Sequence, residues 1–163
     1  MLDLRIEKCR ESAMIPKYAH TGDAGMDLYA AEGVTVLPGK SALVPIGIKM
    51  AIPLGYEVQI RPRSGVSYKT LIRLPNAPGT IDCGYRGELN VLVYNASDRE
   101  DATPENPFTM AVTDCPHGTY LIRRCDRIAQ MVFAKVEYCR PVVVSSVESI
   151  GEDRGGGFGS SGV

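Results

Sequence analysis

The 163-residue sequence has no tryptophan, only two histidines and no CxxC pair, and each shortage removes a class of reading. His20 and His117 stand alone, too few for a histidine-rich metal centre, and no GxSxG accompanies them to begin a serine-hydrolase relay. Cys9, Cys83, Cys115, Cys125 and Cys139 are scattered singly. An odd number without paired spacing fits neither a disulfide framework nor a zinc site, so they read as reduced structural thiols. Apolar runs such as PVVVSSV fall well short of the ~18 residues that a membrane-spanning helix requires. The opening MLDLRIEKCRE carries charge where a secretory signal would be apolar, so the sequence predicts a cytoplasmic protein that meets no membrane. Neither sign of charge is in excess: 18 Lys and Arg face 19 Asp and Glu, a formal net charge of −1. Nothing draws the chain to nucleic acid in bulk, and an anionic ligand must be gripped locally.

What is present is punctuation. Seventeen glycines and eleven prolines separate short stretches of β character: LDLRIEKC, GVTVLP, SALVPIGIKMAI, GYEVQIRP, ELNVLVYN, YLIRRC and RIAQMVFAKVEYCRPVVVSSV. Spacing of this kind predicts an all-β sandwich, barrel or jelly roll in a single domain over 1–163. Helical turns fit only SGVSYKTLI and the segment from Ser12 to Tyr18. Two segments depart from the pattern. Residues 96–119 start polar and acidic, carry three prolines, and read as a long hairpin or surface loop, a solvated insertion or else a docking site for an unidentified partner. The tail over 151–163, GEDRGGGFGSSGV, is too rich in glycine to hold a strand or helix by itself. It reads as a loose terminus or as an arm that orders over a ligand, with Arg154 toward an anion and Phe158 toward a flat ring.

Four stretches carry chemistry. In RPRSGVS, Pro62 ends a strand, and Arg63, Ser64 and Gly65 then present a forked cation, a hydroxyl and an approachable backbone amide, a set suited to phosphate oxygens. In AGMDLYA, Asp27 sits inside an otherwise apolar strand, where a carboxylate must be paired, linked to a metal through water, or capping amides. In RIAQMVF, alternation turns Ile128, Gln130 and Val132 to one face and Ala129, Met131 and Phe133 to the other, leaving Gln130 in need of partners among core groups or a ligand. In GTIDCGYRGELNVLVYN, Asp82 precedes a glycine turn that lifts Tyr85. It has no second acid nearby for a glycosidase pair, but a lone carboxylate at a cleft can act as general base on water while the ring stacks on a sugar or base.

Taken in order, AGMDLYA, PRSGVS, NAPGTIDCGYRGELNVLVYN, RIAQMVF and RGGGFGSSG resemble the five motifs of the trimeric deoxyuridine triphosphatase (dUTPase) family. The resemblance covers nearly the whole chain except roughly 96–119. It implies a distorted jelly-roll subunit, a homotrimer with active sites shared between neighbours, and a flexible glycine-rich arm closing over a neighbour's pocket. The implied reaction is hydrolysis of dUTP to dUMP and pyrophosphate, with Asp82 orienting water against the α-phosphate. Arg63, Ser64, Gly65 and Gln130 would hold phosphates, with Arg154 added from the arm and Phe158 covering the uracil. Tyr85 would lie against the deoxyribose and exclude a 2′-hydroxyl. Asn76, with Gly79, Ile81 and backbone groups of the hairpin, would bind and read uracil. Asp27 would touch Mg²⁺ through water, the metal riding in on the triphosphate, since Mg²⁺ prefers phosphates and waters with few protein carboxylates.

Two departures from the family pattern stand out: Arg154 and Phe158 are one residue closer together than usual, and Cys125 replaces the customary glycine before the Asp126–Arg127 pair. Two rivals are weighed. A deoxycytidine triphosphate deaminase of the same fold would need a glutamate in the distal strand where this chain has Leu92, and Glu88, four residues earlier, lies roughly 13 Å away along an extended strand. A non-catalytic interaction module would have no use for Asp82, Tyr85, Arg63 and Gln130 as a set.

Overall fold

Glycine and proline divide the chain into short strands that never run long enough to form one continuous sheet. The computed structural model describes residues 2–153, 155 and 156. Their elements are β1 (Arg5–Lys8), β2 (Gly25–Tyr29), β3 (Val34–Val36), β4 (Ser41–Pro45), β5 (Ile48–Ala51), β6 (Tyr56–Pro62), α1 (Ser64–Lys69), β7 (Ile72–Arg73), β8 (Gly79–Ile81), β9 (Asn90–Asn95), β10 (Phe108–Thr109), β11 (Tyr120–Ile122) and β12 (Arg127–Lys135). They form small sheets in the orders β1-β5, β10-β11-β3, β2-β12-β6-β8 and β4-β9-β7. Every neighbouring pair is antiparallel except β10 with β11. The result is nearly all β, the distorted jelly roll expected.

Alternation decides what is buried. Val58 and Ile60 on β6, and Val91 and Val93 on β9, turn inward while their neighbours do not. They join Leu28, Val36, Val44, Ile46, Ile48, Ile72, Leu89, Tyr120, Ile122, Ile128 and Met131 in one apolar core. Asn95 takes the next inward position of β9 and is fully buried. Its Nδ2 donates to the carbonyls of Val36 (2.9 Å) and Gly118 (2.8 Å), and its Oδ1 accepts from the Ser97 amide (3.0 Å) and hydroxyl (2.7 Å). All four hydrogen-bonding capacities of that amide are used, which is the condition for burying it.

That amide also revises the reading of 96–119. Asn95 ties both ends of the segment to β3, Ser97, Ala102 and Thr119 are buried, and β10 pairs in parallel with β11. The segment is stitched to the core at its base and is neither a free loop nor a simple hairpin. Three other expectations are corrected. Ser12–Tyr18 holds no helix, and after a turn at its start the segment is irregular. The long final stretch stops being a strand at Lys135, and PVVVSSV is exposed without strand pairing among the described residues, so apolar content alone did not make it a strand. A register shift between Arg127 and Ala129 breaks the alternation of β12, so Ile128 is buried in the core together with Ala129 and Met131, and does not share a face with Gln130. All five cysteines are free.

Cys125 has φ +71° in the turn that enters β12. Its amide donates to the Ala30 carbonyl (2.8 Å), and Asp126 Oδ2 accepts from the Arg123 amide (2.7 Å), so the turn is fixed by bonds that do not use the thiol. A side chain in the left-handed region costs about 1–2 kcal/mol, of which glycine recovers part after its own entropy loss. Cys125→Gly is therefore expected to stabilise the fold by about 0.5–1 kcal/mol, measured as the shift in denaturant midpoint at unchanged slope.

Candidate active site

Asp27 takes a half-buried position on β2, on the same sheet face as its cross-strand partner Gln130 of β12. The cost of that burial is met by two guanidiniums. Arg63 Nε reaches Asp27 Oδ1 at 2.7 Å and Arg127 Nη1 reaches Oδ2 at 3.3 Å, while the carboxylate side chain keeps 16% exposure. Arg63 also donates from Nη1 to the Arg127 carbonyl at 3.3 Å. The open alternatives for Asp27 resolve to pairing. Pro62 ends β6 immediately before this arginine, and α1 begins at Ser64 with Arg63 in the capping position, so the strand end, the cation and the helix start are set by three successive residues.

Gln130 lies opposite Asp27 on one side and Arg61 on the other, and its Nε2 donates to the Pro62 carbonyl at 2.9 Å. The side chain crosses β2 at Gly25, where any Cβ would collide with Gln130 Oε1. Gly25 is thus a site residue that the sequence reading passed over; the signal was a glycine inside a strand pattern, which marks close approach. Arg127 is a second omission, since it was noted in its motif but given no place in the site. Asp27, Arg63, Ser64, Gly65, Gln130 and Arg127 line one open cleft of about 470 Å³, to which His20 and Asp23 of a neighbouring turn also contribute. Asp23 Oδ2 accepts from the His20 amide at 2.8 Å and shapes that turn. A second cleft of about 530 Å³ shares Arg63, Gly65 and Arg127 and adds Lys69, Met110 and Ala111, the last two from the stitched 96–119 segment. The first cleft balances Arg63 and Arg127 against Asp23 and Asp27, whereas the second sets Arg63, Arg127 and Lys69 against Asp126 and is locally positive in a chain whose net charge is −1.

The other predicted residues lie elsewhere. Gly79 and Ile81 are on β8, with the Asn76 side chain packed against Gly79, and Asp82 follows Ile81 directly. Asp82 is exposed, and among the described residues its carboxylate has no hydrogen-bond or ion-pair partner. Its carbonyl accepts from the Tyr85 amide at 3.1 Å, closing the glycine turn. Tyr85 is 45% exposed, and its hydroxyl donates to the Glu88 carbonyl at 2.9 Å. Arg154 and Phe158 lie outside the described residues.

Register separates the two groups. Val58 pairs with Ile81 and Ile60 with Gly79, so Asp82 falls level with Glu57, six residues before Arg63, which directly follows the end of that strand. At the rise of an extended strand that is ~20 Å, too far for one phosphate to touch both.

Glu88 is not on β9, which begins at Asn90. Its two carboxylate oxygens are held by Arg10, through Nε and through Nη2 at 3.1 Å, and its Oε1 also accepts from the Gly47 amide at 3.1 Å. Leu92 is half-buried and pairs with Leu43. Neither residue offers a free proton carrier of the kind a deaminase needs. Among the described residues no cluster of three or more His, Cys, Asp or Glu is placed to hold a metal ion, and no helix is long and apolar enough to cross a membrane.

Comparison with known proteins follows the same lines. The dUTPase family model matches residues 11–104. The deoxyuridine 5′-triphosphate nucleotidohydrolase of Solibacter usitatus is 42% identical over 164 residues, covering 99% of this chain and 97% of the relative. That of Clostridium acetobutylicum is 39% identical over 168 residues, covering 100% and 99%. Among solved structures, a mutant dUTPase of Staphylococcus bacteriophage 80alpha with dUpNHpp superposes at TM-score 0.88 with 29% identity over 100% of both chains. A mutant dUTPase from phage phi11 of S. aureus, described with a structural Mg(II) ion, gives 0.81 and 31% over 91% of this chain and 100% of that one.

The Arg10 hydrogen bond, ahead of its charge and the Gly47 amide, holds the Glu88 carboxyl below its ordinary value near 4.5, against a desolvation effect that raises it. A depressed carboxyl contributes stability that is complete above the ordinary value and is lost as pH falls through the lower folded one. Urea unfolding of wild type and Arg10→Ala is expected to show a stability gap that is constant well above the ordinary carboxyl value, then closes as pH falls below it.

Proposed function

The chain belongs to the dUTPase family, and from that premise we propose that it cleaves dUTP into dUMP and pyrophosphate by direct attack of water on the α-phosphate. This activity limits uracil entry into DNA and supplies dUMP for thymidylate synthesis, which fits a cytoplasmic enzyme. Asp82 is the proposed general base: it is exposed, without a partner among the described residues, and held at the mouth of a fixed turn. Tyr85 lies against the deoxyribose, where its ring leaves no space for a 2′-hydroxyl. Asn76, Gly79 and Ile81 take the uracil side. Arg63, Ser64, Gly65 and Gln130 grip the phosphates, and Arg127 belongs with them. Arg63 and Gln130 already hold one hydrogen bond each to Asp27 and Pro62, which fixes their remaining donors in direction before substrate arrives. Arg154 and Phe158 are proposed to complete the phosphate and uracil contacts from the arm. No covalent intermediate is required.

Magnesium fits as a passenger of the triphosphate. Both oxygens of Asp27 already accept from guanidinium nitrogens, which leaves lone pairs for a metal-bound water but no complete inner coordination set. When bound, the ion would supply charge neutralisation on the phosphate oxygens and the leaving pyrophosphate.

The observation that carries the reading is the pairing of a phosphate-type cleft around Arg63 with a carboxylate and an aromatic ring on the separate turn between β8 and β9. The ~20 Å between Asp82 and Arg63 along β6 and β8 supports a homotrimer in which neighbours contribute the two halves of each site.

Turnover in ¹⁸O-water is expected to place the label in dUMP and none in pyrophosphate, with dCTP, dTTP and UTP cleaved far more slowly than dUTP. Asp82→Asn is expected to lower kcat by about 10³-fold or more with the nucleotide still bound. Label in pyrophosphate would sink attack at the α-phosphate, and uracil-containing products from dCTP would favour the deaminase. Mixing inactive Asp82→Asn and Arg63→Ala subunits is expected to restore about a quarter of wild-type turnover after exchange, because random assembly reunites one intact half from each neighbour at that frequency. Complete absence of recovery in exchanged subunits would place both halves in one chain.

A further inference from the structure

Tyr85 is anchored through a chain of contacts that starts near the other end of the polypeptide. Its hydroxyl donates to the Glu88 carbonyl at 2.9 Å. Its ring lies over Gly87, where a Cβ would collide with the phenol oxygen and Cζ. Glu88 is itself immobilised, since Arg10 grips both of its carboxylate oxygens across 78 positions of sequence. The Gly47 amide adds a third bond to that carboxylate at 3.1 Å. Arg10 is fixed in turn: its backbone amide donates to the Gly47 carbonyl at 3.3 Å, and its Nη1 meets Glu32 at 2.8 Å. Leu89, the next residue, is pinned to the strand beside it by bonds with Ile46 (3.0 Å) and Ile48 (2.8 Å). Tyr85 thus rests on a carbonyl whose own residue is clamped on both sides.

We propose that Arg10 is a positioning residue for sugar selectivity: by clamping Glu88 it fixes the carbonyl that anchors the Tyr85 hydroxyl, and so sets the depth at which the ring refuses a ribose. The inference rests on the reading of Tyr85 against the deoxyribose. Arg10 touches no nucleotide and acts only through Glu88. Without the guanidinium, the Glu88 carboxylate retains only the Gly47 amide and turns toward water. The carbonyl keeps a bond from Asn90 Nδ2 (3.1 Å) and its peptide keeps the Leu89 amide bond to Ile48 (2.8 Å), so the loss acts by loosening the Gly87–Glu88 side of that peptide, and the stop under the ring slackens. A displacement of even an ångström decides whether a hydroxyl fits. dUTP, which has nothing to clash, is little affected, whereas UTP gains entry.

The test measures kcat and KM for dUTP and UTP on the full-length chain in wild type, Arg10→Ala, Arg10→Lys, Tyr85→Phe and the Arg10→Ala/Tyr85→Phe double variant. In Arg10→Ala the dUTP:UTP ratio of kcat/KM is expected to fall about tenfold, mainly through faster UTP cleavage. Arg10→Lys should recover part of the ratio, because a point charge replaces a two-pronged grip. Tyr85→Phe deletes only the hydroxyl and should lower the ratio by a similar factor, with the double variant no worse than either single one. A purely structural arginine would lower both substrates in proportion, and an unmoved ratio in Arg10→Ala overturns the proposal. Should that variant fail to fold, an unmoved ratio in Tyr85→Phe overturns it equally. Wild-type protein that leaves dUTP intact would remove the hydrolase reading and this inference with it, whereas normal wild-type turnover with an unmoved ratio removes only the role of Arg10.

Discussion

A carboxylate placed inside an apolar strand is the constraint from which the cleft around Arg63 is built. Asp27 on β2 is tolerable there only because Arg63 and Arg127 close on its two oxygens. One arginine comes from the end of β6 and the other from the start of β12, so the cluster joins three neighbouring strands at the edge of the cleft. Two guanidiniums around one acid leave surplus positive charge, and Lys69 at the end of α1 adds to it. A chain of net charge −1 thereby keeps a cationic pocket. Exposed pairs of this kind contribute little to stability, but these are only partly exposed, and their greater effect is to aim the donors not used by Asp27 into the cleft.

The same sheet keeps the two halves of the chemistry apart. β8 runs antiparallel to β6, so each residue that carries the chain toward Asp82 carries it away from Arg63. Proximity within one subunit is sacrificed, which is why the proposed site takes its two halves from neighbouring subunits. The stitched 96–119 segment adds to the phosphate side, since Met110 and Ala111 wall the second cleft beside Arg63 and Lys69.

Much of the site was legible because its residues violate local expectation. A proline followed by Arg-Ser-Gly breaks a strand at a point where phosphate chemistry is available, an acid interrupts apolar alternation at Asp27, and a glutamine interrupts it at Gln130. Each anomaly proved to sit at the cleft. Gly25 and Arg127 were not recovered, because each has a commoner local reading: a glycine at a strand start reads as a turn even though it can mark close approach, and an arginine at a strand start reads as a solvated end. Their roles depend on which side chain crosses them. The placement of Ile128 failed for a related reason, as a register shift is invisible to a strict period of two. The run PVVVSSV failed differently, since β propensity without a partner strand yields no ladder. Cys125 is the instructive middle case: its unusual presence in a glycine position was visible, and the left-handed backbone that makes it unusual was not.

Composition, punctuation and alternation by themselves determined that this chain is nearly all β and that the residues of its cleft cluster around two short motifs, because these follow from local rules with periods of two and from the stereochemistry of glycine and proline. Which residues act together was decided only in three dimensions. The Arg10–Glu88 clamp spans 78 positions, and the Asp27–Arg127 contact spans 100. Pairings at such separations are chosen by strand order and register, and no local pattern in a sequence encodes the distance between two strands.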